Sequence, residues 1–195
     1  MYTKLLSLDT SATLALSTLF PHTLTTNTLA YVLSGVSSTI LVWALVICIV
    51  FIWEYHIRKN KGVFLAQLSK LMLTLAVTLS LAFVSTEYVM KPTWQRPRPY
   101  QIHRIDAPHC PNGFSFPSGH ATLAFAGAYI LWRFDHHKGR RLTYVLIAIG
   151  ISYSRIYLLC HYVGDVAAGA LYGIVVGAVS YTLIHALFTS AKRAL

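Results

Sequence analysis

Long stretches without charge divide this chain, and such stretches admit few folds. Residues 29–53 contain neither an acid nor a base, and a helix of that length crosses the roughly 30 Å hydrocarbon core of a bilayer. Residues 63–86 form a second apolar run whose one charge, Lys70, is close enough to an end to snorkel. Residues 166–188 form another. In lipid every backbone amide must be bonded inside its own segment or a closed barrel, so segments of this length predict an all-α integral membrane helical bundle. The composition agrees, with only 11% charged residues where a soluble domain carries about a quarter. A net charge of +10 does not signal nucleic acid here, because the bases sit in short clusters between apolar runs and not along a stripe.

Two further runs are shorter. Residues 118–132 are apolar but only about 22 Å long as a helix, and residues 142–160 are apolar until Arg155 interrupts them. Polar groups at such helix ends are tolerated near lipid when they line a wet cavity, which makes Ser118, His120 and Arg155 candidates for a site at the membrane interface. Counting five spans puts Arg58, Lys59 and Lys61, then Arg133, Lys138, Arg140 and Arg141, then Lys192 and Arg193, all on one side. That side is the cytoplasm by the positive-inside rule. The loop at 91–117 and the turn around His161 then face outward.

Residues 5–20, rich in Ser and Thr and interrupted by Asp9, read as an interfacial helix on the outer face, with a sixth span as the alternative. That interruption also argues against a cleaved leader. Gly169, Gly173 and Gly177 recur every four residues, a close-packing stripe expected to work inside the monomer. With no linker, repeat or low-complexity tract, residues 1–195 read as a single membrane-embedded domain.

Three clusters on the outward side carry the chemistry: Lys91 with Arg98-Pro99, then Pro117-Ser118-Gly119-His120, then Ser154-Arg155 with His161 and Asp165. Lys91, Arg98 and Arg155 concentrate positive charge, and arginine forks match phosphate oxygens. Ser118 and Gly119 begin a helix whose free N–H groups and dipole favour an anion. The group held is therefore a phosphate or a close mimic. Asp165 lies four residues after His161, one turn if a helix runs through both. A carboxylate on one imidazole nitrogen fixes the tautomer and aims the other at the substrate. His161 then attacks phosphorus, and His120 is the general acid for the leaving oxygen. Carboxylates on the outward side are few, mainly Glu87, Asp106 and Asp165, too few for a magnesium or two-metal site, so no metal or other cofactor is expected.

These residues resemble the signature of the type-2 phosphatidic acid phosphatase superfamily: Lys-x6-Arg-Pro, Pro-Ser-Gly-His and Ser-Arg-x5-His-x3-Asp, complete and in order between Lys91 and Asp165. The resemblance implies a helical-bundle core, a phosphohistidine intermediate and metal-independent hydrolysis. It assigns His161 as nucleophile, Asp165 as its orienter and His120 as acid, with Lys91, Arg98, Ser118, Gly119 and Arg155 holding the phosphate. It implies a bacterial inner-membrane enzyme facing the periplasm or exterior and acting on a lipid phosphate. Undecaprenyl diphosphate is the first choice of substrate, and phosphatidate, phosphatidylglycerophosphate or a lipid A phosphate are the alternatives. Transfer of the phosphoryl group to a lipid or sugar acceptor, and non-catalytic binding of a lipid phosphate, are the other readings. Arg96 and Arg104 fall outside the motifs, and Arg96 reads as a loop or headgroup contact. The spacing of His103, His109 and Cys110 fits no strong zinc pattern. Three cysteines do not indicate a disulfide framework, and Cys160 reads as a packing residue beside His161 in preference to a partner of Cys110.

Overall fold

The computed structural model describes residues 2–34, 43, 45–50, 52, 55, 61–103, 107 and 110–194. Much of the expected span at 29–53, together with Arg58, Lys59, Arg104, Asp106 and His109, lies outside the described residues. Among the described residues the secondary structure is helical throughout. The elements are α1 (Tyr2–Ser17), α2 (Leu24–Ser34), α3 (Lys61–Val84), a π-helical segment (Ser85–Met90), α4 (Lys91–Trp94), α5 (Pro99–His103), α6 (Gly119–Phe134), α7 (Lys138–Tyr157) and α8 (Val163–Ala194). Residues 43, 45–50, 52 and 55 are also helical.

Helix α6, only 16 residues long, sits at the centre of the packing: it contacts α3, α7 and α8. Its composition allows this. Ala121, Ala124, Ala126 and Ala128 are buried with Thr122 and Gly127, so neighbouring backbones approach closely without displacing large side chains. Against it α8 sets Gly169, Gly173 and Gly177. A Cβ at Gly169 would lie 2.6 Å from the Ser118 carbonyl, and one at Gly173 would collide with the carbonyl of Thr122. On the other face of α8, Leu171, Val175, Val179, Leu183 and Leu187 are exposed, again four apart. Each stripe follows the helical repeat, one toward α6 and one outward. Among the described residues, two stretches, Phe64–His103 and Val163–Ser190, are long and apolar enough to cross a membrane.

Two boundaries differ from the sequence reading, and both bear on the site. The second apolar run does not stop at Thr86, because the helix continues through the π segment to Trp94. Pro92 has no N–H to offer and crowds the preceding turn. A wider π turn just upstream, in which the Lys91 N–H reaches back to the Thr86 carbonyl, absorbs that mismatch. The run ends where Gln95 takes a left-handed conformation at φ 47°. At the other boundary α7 stops at Tyr157, and the chain doubles back so that the N–H groups of Cys160 and His161 both donate to the Arg155 carbonyl, at 3.0 and 3.2 Å. Leu159 makes that reversal at φ 54°, a region a leucine enters only at some cost.

The turn between α6 and α7 is locked by Asp135. It accepts from Arg140 Nε at 2.6 Å, the His137 N–H at 2.8 Å and the Tyr144 hydroxyl at 2.6 Å. Burial works to raise the Asp135 carboxyl, but these donors outweigh it and push the group down to about 2.

The glycine stripe yields a test. Gly173→Ala gains roughly 1 kcal/mol of helix propensity, yet drives a methyl into the backbone of α6, which cannot step aside. A net loss on the order of 1–3 kcal/mol is expected, read as a lower melting temperature in detergent. Gly139→Ala, where an added Cβ meets nothing within 4 Å, is expected to melt at or above the parent temperature.

Candidate active site

Five pieces of chain converge at one end of the bundle. They are the helix end bearing Lys91, the 95–118 segment, the start of α6, the end of α7 bearing Arg155, and the turn at 158–162 that leads into α8. The residues singled out in the sequence meet here, and almost all are buried: Arg98, Ser118, Arg155 and Asp165 are fully enclosed, His161 nearly so, and Lys91 largely so. His120 is half-buried. It lies within electrostatic reach of Arg155, His161, Lys91 and Arg98.

At His161 the hydrogen bonds define the tautomer. Nδ1 is 2.7 Å from the Ser115 carbonyl oxygen, which can only accept, so Nδ1 carries the proton. Nε2 is 3.1 Å from Arg98 Nη1, which can only donate, so Nε2 presents its lone pair. Burial is the main force holding the imidazole well below its ordinary pKa, and the cations Arg98, Arg155 and Lys91 add to it. The ring is therefore neutral at physiological pH, with an unprotonated nitrogen aimed among positive charges.

The cations are held individually. Arg98 donates from Nε to the Gly113 carbonyl at 3.1 Å and from Nη1 to the Cys160 carbonyl at 2.9 Å. Its Nη2, and Nε2 of His120, are buried with no hydrogen-bond partner among the described residues. Buried polar atoms without a partner are rare unless a ligand or water uses them. Lys91 pairs with Glu87 at 2.6 Å. Glu87 also lies over Gly119, where an added Cβ would meet its Oε1 at 2.6 Å, so the backbone at the start of α6 is as close to this ion pair as a glycine allows. Ser118 caps α6 through its side chain. The arrangement can surround a tetrahedral dianion with guanidinium, ammonium and helix N-terminal donors.

Asp165 departs from the simple reading. It does not bond the imidazole; its Oδ2 stands 3.7 Å from Nδ1, and His161 precedes α8, so no helical turn links the two. The carboxylate accepts instead from the Ser115 hydroxyl, the Tyr162 N–H at 2.9 Å and Arg96 at 2.6 Å. The bond to Tyr162 is the capping-box reach from the third helical position back to the residue before the helix. Asp165 thus fixes Ser115, and the Ser115 carbonyl fixes the ring.

Arg96 is correspondingly not a headgroup contact. It bridges Asp165 and Asp9 and lies 3.9 Å from the ring centre of Tyr162. Sequence reasoning passed over Asp9, Ser115 and Arg96 as site residues. For Asp9 a signal existed: the chain has six carboxylates in all, and a carboxylate inside an apolar helix is costly enough to demand a partner. For Ser115, which acts through its backbone carbonyl as well as its hydroxyl, no residue-type signal exists. The cysteine reading is also corrected. Cys110 and Cys160 form a disulfide with Cα atoms 5.3 Å apart, because the reversal after α7 brings Cys160 back toward the 95–118 segment.

Residues 67–188 match the model of the PAP2 superfamily. The chain belongs to that superfamily. Among curated relatives, the lipid A 4'-phosphatase of Bacteroides thetaiotaomicron is 40% identical over 75 residues, which is 38% of this chain and 33% of that protein. The bacitracin transport permease protein BcrC of Bacillus licheniformis is 40% identical over 60 residues, 31% of this chain and 29% of that protein. The matches therefore span about a third of those relatives' lengths. Aquifex aeolicus LpxE superposes with a TM-score of 0.59 at 25% identity, covering 88% of this chain and 93% of that one. A PAP2-type phosphatidylglycerolphosphate phosphatase from Bacillus subtilis superposes with a TM-score of 0.62 at 22% identity, covering 92% and 86%. That likeness establishes a shared fold.

The disulfide staples the turn carrying His161 to the 95–118 segment across 50 residues of sequence. Closing a loop of that length is worth about 2–4 kcal/mol. Cys110→Ser, or reduction of the parent, is expected to lower the melting temperature, with reductant leaving the Cys110→Ser variant unchanged.

Proposed function

We propose that this chain is a metal-independent lipid phosphatase in which His161 is the nucleophile. The observation that carries the reading is the fixed tautomer of His161, with Nδ1–H on the Ser115 carbonyl and the Nε2 lone pair facing Arg98. A phosphate seated among Lys91, Arg98, Arg155 and the first N–H groups of α6 would take over the hydrogen bond that Arg98 now gives to Nε2. The Nε2 lone pair then attacks phosphorus, the bond to the leaving oxygen breaks, and His120 donates the proton that oxygen requires. The bound dianion supplies the negative charge that keeps a proton on His120. In the second half, water attacks the phosphohistidine with His120 as base, the P–N bond breaks, and inorganic phosphate leaves. The buried cations stabilise the charge on the transferring group in both steps, the work a metal performs elsewhere.

The relative named as a lipid A phosphatase and the apolar exterior beside the site support a lipid phosphate as substrate class. We place the site at the outer face of a five-span bundle in the bacterial inner membrane, with α1 as an interfacial helix on the same face. The basic residues Arg133, Lys138, Arg140 and Arg141, around the turn at the opposite end of α6, support that orientation. So does the disulfide beside His161, since such bonds persist in oxidising compartments. Among candidate lipids, undecaprenyl diphosphate stands first, ahead of phosphatidate, phosphatidylglycerophosphate and a lipid A phosphate.

Phosphate release by the purified protein in detergent, with excess EDTA, tests the reading on that panel of four lipids. Turnover that resists EDTA and disappears in His161→Ala is expected. Turnover that EDTA abolishes would overturn metal independence, and product formed only when a lipid or sugar acceptor is added would show a phosphotransferase. The pH dependence of kcat/KM gives a second test. Only neutral His161 can attack, and its pKa is depressed, so the acidic limb is expected below the pH of about 6.5 at which an ordinary imidazole titrates. An acidic limb at or above that value would show that burial and the surrounding cations do not depress the nucleophile.

A further inference from the structure

We propose that Asp9, on the amino-terminal helix, is a positioning residue for the active site that acts through Arg96 on Asp165. The inference rests on the reading of His161 as nucleophile. Four connections carry it. Arg96 Nη2 donates to Asp9 Oδ2 at 2.7 Å, while Nη1 donates to Asp165 Oδ1 at 2.6 Å. The other oxygen of Asp9 accepts the Gly164 N–H at 2.8 Å, in the first turn of α8. One turn along α1, the buried Thr13 Oγ accepts the Val163 N–H at 3.1 Å.

An arginine side chain has four rotatable bonds and does not hold an orientation by itself. Arg96 is gripped on both sides of its fork by carboxylates and stacked on Tyr162, so its plane is determined. From there the chain of fixed bonds runs through Asp165 to the Ser115 hydroxyl and the Tyr162 N–H, and from the Ser115 carbonyl to Nδ1 of the nucleophile. Asp9 is its outermost member, 87 residues from Arg96 in sequence. Neutralising it leaves Arg96 free to rotate about Asp165, and the bonds that aim the ring loosen in turn. Substrate phosphate meets Lys91, Arg98, Arg155 and α6, none of which Asp9 touches. The loss therefore falls on turnover and not on binding.

Asp9→Asn separates this role from mere support of α1. Asparagine caps a helix about as well as aspartate and keeps an oxygen for the Gly164 N–H, but removes the charge that holds Arg96. Supported by the parent melting temperature, Asp9→Asn is expected to lose about tenfold in kcat, the lower end for removing a supporting partner of this kind, with KM unchanged on the lipid phosphate hydrolysed fastest. The double variant Asp9→Asn/Arg96→Gln is expected to be no slower than Arg96→Gln alone, because both act through one chain of bonds. A parent-like kcat in Asp9→Asn, or losses that simply add in the double variant, would overturn the proposal. A readout free of turnover keeps it separate from the functional reading. Nitrogen-15 NMR of labelled histidine, with the His161 signal identified by its absence in His161→Ala, is expected to show one neutral tautomer in the parent and a mixture in Asp9→Asn. Were the parent to hydrolyse no lipid phosphate, the functional reading would fail, while an unchanged His161 signal in Asp9→Asn would overturn the positioning role.

Discussion

A carboxylate with no exposure to solvent at the edge of a membrane bundle must find all its partners inside the protein, and Asp165 does. Its two oxygens take the Ser115 hydroxyl, the Tyr162 N–H and the Arg96 guanidinium, and its own carbonyl accepts the Ser118 N–H at 3.0 Å. That one residue therefore ties the start of α8 to the start of α6, to the 95–118 segment and to the turn carrying His161. Removing a partner from such a group would leave a buried charge unpaired, at a cost of several kcal/mol. The same demand that makes Asp165 expensive makes the elements around it converge in one arrangement.

The close approach of α6 and α8 serves that convergence. Gly169 lies against the Ser118 carbonyl and Gly173 against Thr122, so the first turn of α6 is held at backbone contact with α8. Larger side chains there would separate Ser118 from Asp165 and break the link between the turn that opens α6 and the carboxylate. The exposed Leu and Val stripe on the far face of α8 gains nothing from water and is suited to lipid. The helix thus has one face specified by packing and the other by solvent.

Much of this was legible in the sequence because membrane chemistry makes polar residues conspicuous. Among long apolar runs, Lys91, Arg98, His120, Arg155, His161 and Asp165 stand out singly, and their spacing gives the chemistry of an anion site. The helical class followed from the uncharged runs for the same reason. What escaped was connectivity that residue types do not encode. The spacing of His161 and Asp165 suggests a shared helical turn, yet α8 begins at Val163, and a backbone carbonyl takes the role the carboxylate seemed to fill. Arg96 sits in the same Pro-rich segment as Arg98, but opposite partners separate their functions: Arg98 faces His161 and carbonyl oxygens, Arg96 two carboxylates. The Cys110–Cys160 disulfide ranked below simple packing because it depends on the reversal at Leu159, which no turn residue announces.

Charge balance explains why the two arginines cannot exchange roles. Arg96 is neutralised twice over by Asp9 and Asp165, so it contributes structure and has little charge left to attract an anion. Among the described residues the hydrogen bonds of Arg98 go to neutral acceptors, and its field remains available inside a buried site. There a phosphate gains far more from each cation than it would at a wet surface. The cost of assembling like charges is tolerable because they are spread over three helix ends and because Glu87 offsets Lys91 at the rim. An anion placed among them would complete the compensation, so the field of the site favours negative charge whatever group carries it.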